Sequence, residues 1–193
     1  MPTEERTRWD QKHAAEPADS APSAFLLEIF SAGPWRIPPG RALDVATGKG
    51  RNALFLAGRG FVVEGIDISE TALTEARRRA ETQGLSVTFR QADLAEAALP
   101  EAAYDLILNF NFLERSLVPR MKKALKLGGH VIFETYLIDQ RVLGHPRNPA
   151  YLLAHNELLE LFPDFRVLFY REGKFSEGEK EAYRAALLAQ KVR

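Results

Sequence analysis

The stretch from Arg41 to Ala57, RALDVATGKGRNALFLA, constrains the fold of this chain more than any other stretch. It opens with a short apolar run typical of a buried strand, breaks at Gly48 and Gly50, and resumes at Asn52 with apolar residues at helical spacing. A strand, a glycine turn and a helix bring a ligand close to bare backbone and to a helix N-terminus. Glycine suits such a turn because a Cβ would collide with the ligand or forbid the required dihedrals.

Two cofactor families use such a turn. Read as G-x-G-x-x-A, Gly48, Gly50 and Ala53 fit a dinucleotide fingerprint. Read as D-x-A-x-G-x-G, with Asp44 closing the strand, the stretch resembles motif I of the class I S-adenosyl-L-methionine-dependent methyltransferases, with Ala46 in place of the usual first glycine. Asp44 favours the second interpretation, because a carboxylate would repel a pyrophosphate but would attract the ammonium and sulfonium groups of S-adenosylmethionine.

An acidic residue follows at the distance that a nucleoside cofactor requires. The second predicted strand, residues 61–67, ends at Asp67 and is followed by Ile68. A carboxylate about 20 positions after the glycine turn, at the carboxyl end of a strand, can accept hydrogen bonds from two ribose hydroxyls. Asp67 is therefore expected to hold the ribose.

Two more strands end in candidate cofactor residues. After the third predicted strand, residues 86–90, Asp93 is expected to bond the adenine amino group, with Ala92 and Leu94 as an apolar wall; the alternative is a loop or cap aspartate. The fourth predicted strand begins at Tyr104 and leads to Asn109 and Phe110, which are expected to line the methionine side of the cofactor; the alternative for Phe110 is a core residue. The cofactor's methyl group and the acceptor are expected to meet in the segment that follows.

Two longer segments extend the resemblance, which covers residues 41–134. LKLGGHVIFET is similar to the segment that enters strand five in many class I methyltransferases, and GKGRNALFLAGRGFVVEGIDIS is similar to the tellurite-resistance and thiopurine-type small-molecule methyltransferases. The second resemblance implies that Arg51 and Asn52 lie beside the methionine carboxylate. The implied cofactor site consists of Asp44, Ala46, Thr47, Gly48, Gly50, Arg51, Asn52, Asp67, Ile68, Ala92, Asp93, Leu94, Asn109 and Phe110.

The alternation of strands and helices predicts an α/β fold. We expect a Rossmann-like, doubly wound, mainly parallel seven-stranded sheet, with a C-terminal antiparallel hairpin formed by residues 165–170 and 182–190. Ligands of such sheets bind beyond the carboxyl ends of the strands, where the polar residues described above lie. The predicted organisation is an N-terminal lid and helix, residues 1–40, and an S-adenosylmethionine-binding methyltransferase domain, residues 41–193, within one domain overall.

Composition narrows the choice of partners. The 193 residues carry 26 basic and 26 acidic side chains, so no net charge favours nucleic acid or an anionic membrane. Cysteine is absent, which excludes thiolate metal sites and fits a cytoplasmic protein. The polar N-terminus is unlike a secretory signal, and no apolar run is long enough to span a membrane. We expect a monomer or homodimer, with no metal and a small-molecule acceptor.

The chemistry of these enzymes depends on positioning. An acceptor atom attacks the sulfonium methyl group in line, and a hydroxyl or amine acceptor needs a base within hydrogen-bond reach. Tyr136 and His145, in a long loop, and Glu134 before it are the candidate bases. His130, in a predicted strand, is expected to be structural.

The polar leader, residues 1–23, has two interpretations. Trp9 packs back onto the domain, or the segment is a lid in which Trp9, Lys12 or His13 contacts the cofactor. The arginine run 77–79 likewise indicates either a solvated helix face or an RNA contact.

Local patterns predict several helix boundaries. Ser23 is expected to cap a helix over 25–30, and Ser69 to cap a helix over 70–83 with Gly84 at its end. A helix over 117–127 is expected to end at Gly128 and Gly129, and Asn156 is expected to cap a short helix over 157–162.

Three functions are consistent with the sequence. The favoured one is an S-adenosylmethionine-dependent methyltransferase acting on a small molecule. The alternatives are an NAD-dependent oxidoreductase, which needs a pyrophosphate at the turn despite Asp44, and a non-catalytic S-adenosylmethionine-binding domain.

Overall fold

The computed structural model describes residues 2–17, 21–31, 33–177 and 180–193. Residues 18–20 of the predicted leader and residues 178–179 of the predicted hairpin turn lie outside these ranges. The chain divides into two compact units, residues 1–99 and residues 100–193. The predicted organisation into a lid and helix followed by one methyltransferase domain stays a prediction.

The first unit alternates helices and strands. In chain order its elements are α1 (Pro2–Ala15), α2 (Ala24–Ser31), β1 (Arg41–Val45), α3 (Arg51–Ala57), β2 (Val62–Asp67), α4 (Glu70–Thr82) and β3 (Val87–Gln91). The three strands pair in parallel in the order β3-β2-β1. Because the strands are parallel, their carboxyl ends meet at one edge.

The second unit begins with two parallel strands and ends with a hairpin. Its elements are β4 (Tyr104–Phe110), α5 (Val118–Ala124), β5 (Leu125–Tyr136), α6 (Glu157–Leu161), β6 (Phe165–Glu177) and β7 (Lys180–Lys191), with short 3-10 helices at Arg115–Leu117, Ile138–Val142 and Pro149–Tyr151. The strand order is β4-β5-β7-β6, in which β7 is antiparallel to both of its neighbours. The predictions of one mainly parallel seven-stranded sheet and of its C-terminal hairpin are confirmed.

Apolar runs determine which strands are buried on both faces. Leu106, Ile107 and Leu108 of β4 are each fully buried, as expected for a continuous apolar run in a parallel sheet. The same holds for Ala42 and Leu43 of β1. Because both strands are buried, the points at which the chain leaves the sheet after them are held in place.

The predicted helix over 117–127 is wrong at its carboxyl end. Helix α5 stops at Ala124, and Leu125 already pairs with Tyr104 as the first residue of β5. A Cβ on Gly129 would lie 2.9 Å from the carbonyl oxygen of Lys126, and Gly128 has φ +81°. The two glycines therefore allow a tight path within β5 instead of ending a helix.

The caps follow the predictions only in part. The Ser69 hydroxyl accepts a hydrogen bond from Ala72 N–H at the start of α4, as predicted, and Gly84 lies one residue beyond the cap of that helix with φ +65°. The prediction that the Asn156 side chain caps α6 is wrong, because Asn156 is left-handed with φ 63° and makes no side-chain cap bond. Its backbone N–H instead donates to the Glu172 carboxylate at 2.9 Å.

Candidate functional site

The turn between β1 and α3 has a left-handed backbone at three of its five residues. We call residues 46–50 the glycine turn. Ala46, Gly48 and Gly50 have φ values of 51°, 53° and 80°. Alanine adopts this conformation only at a cost, which explains why a glycine is usual at the first position of motif I. Thr47 N–H donates to the carbonyl of Ile66 at 3.0 Å, so the turn begins as a continuation of the sheet.

The two glycines of the turn have different surroundings. A Cβ on Gly50 would lie 3.1 Å from Cβ of Ala76 in α4 and 3.2 Å from the ring of Phe89 in β3, so Gly50 is where the turn packs against the unit. Among the described residues, a Cβ on Gly48 would meet only His13, whose Cε1 would lie at 3.6 Å. Gly48 therefore presents its backbone to the side of the turn on which α1 lies.

Asp67 joins the glycine turn to the end of β2. One carboxylate oxygen accepts from Gly48 N–H at 2.8 Å, and the other accepts from Ser69 N–H at 2.9 Å. The residue is 7 % exposed, and this burial raises the pKa of Asp67 against the lowering effect of the two backbone hydrogen bonds. The carboxylate and the turn, which lie 19 residues apart in sequence, form one surface.

Asp44 provides a second carboxyl group below the turn. It is 2 % exposed and accepts a hydrogen bond from the Thr47 hydroxyl at 2.6 Å. Burial raises the pKa of Asp44 to about 7, although the Thr47 hydroxyl, Ala53 N–H and the Arg51 charge all favour the ionised form. A buried carboxyl whose pKa remains this high would be ionised more readily if a cationic group bound beside it.

The end of β3 adjoins the end of β2 through backbone contacts. Ala92 N–H donates to the carbonyl of Asp67 at 2.9 Å, and the Gln91 side chain donates to the carbonyl of Ile68 at 3.1 Å. Asp93 accepts from Ala95 N–H at 2.9 Å and is half-buried, whereas Leu94 is 5 % exposed. The half-buried carboxylate of Asp93 and the apolar side chain of Leu94 thus lie two and three residues after the end of β3, where the sequence predicts the adenine site.

The first residues of α3 have different roles in the structure. Arg51 is half-buried, and its guanidinium lies 3.5 Å from the carbonyl oxygen of Ala21. The Asn52 amide is 5 % exposed; its oxygen accepts from Ser23 N–H at 2.9 Å and its nitrogen donates to the Ser23 hydroxyl at 3.2 Å. Asn52 therefore ties the start of α2 to the start of α3, and its predicted contact with a methionine carboxylate stays a prediction.

Several residues around the turn escaped the sequence analysis. Arg79 is 9 % exposed and donates to the carbonyl of Lys49 at 3.0 Å, so the prediction of a fully solvated arginine run is wrong at this position. The Lys49 ammonium donates to the carbonyl of Glu16, just after α1. The only signal in the sequence was the position of Arg79 three residues after Ala76, on the helix face that packs under Gly50.

In the second unit, β4 ends in two predicted cofactor residues. Asn109 is 1 % exposed and donates to the carbonyl of Phe112 at 2.7 Å, and Phe110 is 6 % exposed. Asn111, left-handed with φ 56°, donates its N–H to the carbonyl of Glu134 at 2.9 Å. The Asn109 amide therefore fixes the turn that follows β4.

A group of charged and polar side chains surrounds Tyr136, the first predicted catalytic residue. Arg184 donates to the Tyr136 hydroxyl at 3.1 Å, lies 4.3 Å from its ring centroid, and donates to Asn111 Oδ1 at 2.6 Å. The buried Glu134 lies 3.5 Å from Arg184 and 4.0 Å from Arg171. We call this group the arginine cluster; its members are Asn111, Glu134, Tyr136, Arg171 and Arg184.

His145, the second predicted catalytic residue, lies on an exposed loop. Its carbonyl accepts from the Gln140 side chain at 3.1 Å. The structure places its imidazole outside the contacts of the arginine cluster described above. His130 is half-buried in β5, and burial lowers its pKa, as expected for a structural histidine.

The comparisons with known proteins bear on this arrangement directly. Residues 42–129, from β1 to the glycines of β5, match the family model described as a methyltransferase domain. Over these residues the chain resembles the S-adenosylmethionine-dependent methyltransferases, and the predicted resemblance and the predicted cofactor, S-adenosyl-L-methionine, are confirmed.

Two curated relatives show which methyltransferases the chain is similar to. It is 30 % identical over 143 residues to the probable S-adenosyl-L-methionine-dependent methyltransferase TehB of Haemophilus influenzae, a match that covers 70 % of this chain and 49 % of TehB. It is 37 % identical over 133 residues to a ubiquinone biosynthesis O-methyltransferase of Alkalilimnicola ehrlichii, covering 64 % of this chain and 50 % of that enzyme. The chain spans about half the length of these curated relatives.

A solved structure supports the fold. The crystal structure of TehB from Haemophilus influenzae superposes with a TM-score of 0.74 at 24 % identity and covers 95 % of this chain and 67 % of that chain. At this identity the likeness shows the shared fold of these methyltransferases.

Two further observations concern membranes and metal ions. None of the helices in the described ranges is both long and apolar enough to cross a membrane. Within residues 2–17, 21–31, 33–177 and 180–193, no three histidine or acidic side chains are grouped so as to hold a metal ion.

Proposed function

We propose that the chain is an S-adenosylmethionine-dependent methyltransferase that transfers a methyl group to a small-molecule acceptor. The observation that carries the proposal is the 2.8 Å hydrogen bond from Gly48 N–H to the Asp67 carboxylate. It unites a glycine turn that admits a ligand to bare backbone with the carboxylate that is expected to hold the ribose.

The residues of the first unit suit the parts of this cofactor. The buried Asp44 carboxyl would gain a cationic partner in the ammonium group of the methionine moiety, and Asp67 retains acceptor capacity for ribose hydroxyls beyond its backbone bonds. Leu94 provides an apolar wall for adenine beside the half-buried Asp93. Together with Ala46, Thr47, Gly50, Arg51, Asn52, Ile68 and Ala92, these residues form the proposed cofactor site.

In this proposal the protein contributes mainly position. S-adenosylmethionine supplies a methyl group on a positively charged sulfur, and attack in line by an acceptor atom leaves the electron pair on that sulfur. The first unit holds the cofactor through main-chain groups, and the contact of Asn109 and Phe110 with its methionine side stays a prediction from the sequence. Holding the two reacting centres together and excluding water accounts for most of the rate in such a reaction.

The acceptor is proposed to be a small molecule because the chain has no net charge that would favour nucleic acid. The relative named for ubiquinone biosynthesis acts, by its name, in the synthesis of a small molecule. Tyr136, which meets the Arg184 guanidinium through its hydroxyl, is the proposed proton-handling residue, and the exposed His145 is the second candidate. A cytoplasmic location and a monomeric or homodimeric state stay predictions.

Calorimetry with S-adenosylhomocysteine tests the cofactor proposal. We expect saturable binding to the wild type and a loss of roughly 10- to 100-fold in affinity for Asp67→Asn, because hydrogen bonds to a charged group are worth about 1.5–3 kcal/mol. Asp164→Asn makes the same chemical change at an ion pair with Lys122 in the second unit and is expected to bind like the wild type. Absence of binding to the wild type at about millimolar ligand would refute the proposal.

Turnover separates an enzyme from a binding domain. The wild type is incubated with S-adenosylmethionine and separate sets of thiols, phenols and amines, and formation of S-adenosylhomocysteine is measured. For a hydroxyl or amine acceptor, Tyr136→Phe is expected to lower kcat more than it raises KM, because it removes only the hydroxyl. Binding without turnover in any set would favour the non-catalytic domain.

A further inference from the structure

Helix α1 buries very little apolar surface. Among its described side chains, residues 4–15, none is buried; Trp9, Asp10 and His13 are half-buried and the others are exposed. A helix of 14 residues is marginal by itself in water and usually depends on an apolar face packed against its domain. The contacts that hold α1 must therefore be polar.

Those polar contacts are made with the residues that flank the proposed cofactor site. The Asp10 carboxylate accepts from the Ser69 hydroxyl at 2.6 Å and from Thr71 N–H at 3.1 Å, at the start of α4. At the other end of α1, the Lys49 ammonium donates to the Glu16 carbonyl. Ser69 lies two residues after Asp67, and Lys49 lies between Gly48 and Gly50.

Between these two attachments, His13 faces the glycine turn. Its Cε1 is the atom that a Cβ on Gly48 would meet, at 3.6 Å. Its ring stacks on Trp9 with centroids 5.8 Å apart and an interplanar angle of 29°. Lys12 lies 4.6 Å above the Trp9 ring from the same helix. His13 therefore faces the open side of the glycine turn, with Trp9 stacked on it and Lys12 beside Trp9 on the same helix.

The charges around His13 are those of the same site. Burial lowers the pKa of the imidazole and the Asp67 carboxylate raises it; Lys49 and Lys12 lower it further, and Glu16 raises it. A neutral imidazole offers one donor and one acceptor beside the carboxylate that is expected to hold the ribose.

We propose that His13 is a cofactor-contacting residue, and that α1 is a lid over the nucleoside part of the cofactor, held closed by Asp10 on Ser69 and Thr71. This inference rests on the proposed function, because it names a further residue and a moving part of the same site. Since none of the described side chains of α1 is buried, the helix opens without disrupting the core, and a bound nucleoside adds contacts to His13 and Trp9 that favour the closed position.

Tryptophan fluorescence tests the lid directly. The chain has two tryptophans, so Trp35→Phe leaves Trp9 as the single reporter. In that background we expect S-adenosylhomocysteine to change the Trp9 emission saturably. His13→Ala is expected to weaken binding roughly tenfold, the loss of about one hydrogen bond. Asp10→Asn is expected to raise the dissociation rate several-fold in stopped-flow displacement, with a smaller effect on the association rate.

Gln11→Ala is the matched control, because Gln11 is an exposed residue of the same helix. It is expected to leave affinity and both rates unchanged. Limited trypsin digestion adds a second measurement, since the exposed Arg8 and Lys12 lie within α1: the ligand is expected to slow cleavage there in the wild type and to protect Asp10→Asn less.

The outcomes separate the two proposals. If the wild type binds no S-adenosylhomocysteine, the proposed function fails and the lid falls with it. If the wild type binds but His13→Ala and Asp10→Asn match Gln11→Ala in affinity, dissociation rate and trypsin protection, the lid is wrong and the proposed function stands.

Discussion

The glycine turn and the arginine cluster are built from opposite materials. The glycine turn is held by backbone groups and by the short side chain of Asp67, through hydrogen bonds of 2.8–3.0 Å. The arginine cluster is held by the ends of long side chains, two of them guanidinium groups that share a single buried carboxylate. A turn held by backbone contacts tolerates a change of side chain but not a change of backbone dihedral angle. The arginine cluster tolerates a change of dihedral angle but not a change of side chain. The two regions should therefore fail under different substitutions.

The largest expected effect is at the arginine cluster. Glu134→Gln leaves Arg171 and Arg184 without their shared carboxylate, and breaking a buried ion pair from one side is expected to lower the free energy of unfolding by about 3 kcal/mol. Glu181→Gln removes the carboxylate of an exposed pair with Lys174 on the same hairpin and should change stability by about 0.5 kcal/mol or less. Urea unfolding measures both. Equal effects would mean that the cluster does not depend on charge.

The next effect is at the glycine turn. Gly50→Ala combines a left-handed backbone with a Cβ 3.1 Å from Ala76, and is expected to lower the unfolding free energy by about 2–3 kcal/mol and to weaken S-adenosylhomocysteine binding more than tenfold. Gly84→Ala has a similar φ but nothing within 4 Å, so strain alone should cost about 1 kcal/mol, with no effect on binding. The difference between the two variants isolates the steric part, and a difference near zero would contradict the tight packing of the turn.

A smaller effect should appear in the pH dependence of binding. If the cofactor's ammonium pairs with ionised Asp44, whose pKa is about 7, affinity for S-adenosylhomocysteine should rise about tenfold between pH 6 and pH 8. In Asp44→Asn the affinity should be weaker and nearly flat over this range. A wild-type curve parallel to that of the variant would exclude Asp44 as the ammonium partner.

Asp44 also affects stability in the absence of ligand. Between about pH 4 and pH 7 the folded protein keeps a proton on Asp44 that the unfolded chain has released, because the folded pKa is the higher one. The stability contributed by this proton is therefore lost as pH rises toward 7. Asp44→Asn should remove that part of the decrease in thermal scans.

The smallest effect should come from Ala46. Ala46→Gly relieves a left-handed alanine at φ 51° but adds flexibility to the unfolded chain, so the net gain in unfolding free energy is expected to be about 0.5 kcal/mol. Ligand affinity should not change, since the main-chain path is the same. A loss of stability would show that the Ala46 methyl group makes packing contacts worth more than the strain.

The difference between the glycine turn and the arginine cluster also explains which features could be predicted from the sequence. The glycine turn and Asp67 lie in one stretch of sequence with fixed spacing, and the parallel strands bring their ends together, so local patterns sufficed. The arginine cluster draws on residues from position 111 to position 184, which come together only through the pairing of β5 with β4 and β7 and of β7 with β6. Helix α1 was missed because its contacts are polar and distant in sequence, and no apolar periodicity marks it.

Lys49 makes one hydrogen bond through its main chain and another through its side chain, so a substitution at this position changes only the second. Its carbonyl is held by Arg79 of α4, and its ammonium reaches the residue after α1. A shorter or uncharged side chain at this position would remove one attachment of the N-terminal segment, leaving the Asp10 contacts and the turn's support on α4 unchanged. Natural variation at position 49 could therefore tune how fast ligand exchanges, without any change in the shape of the surface that receives it.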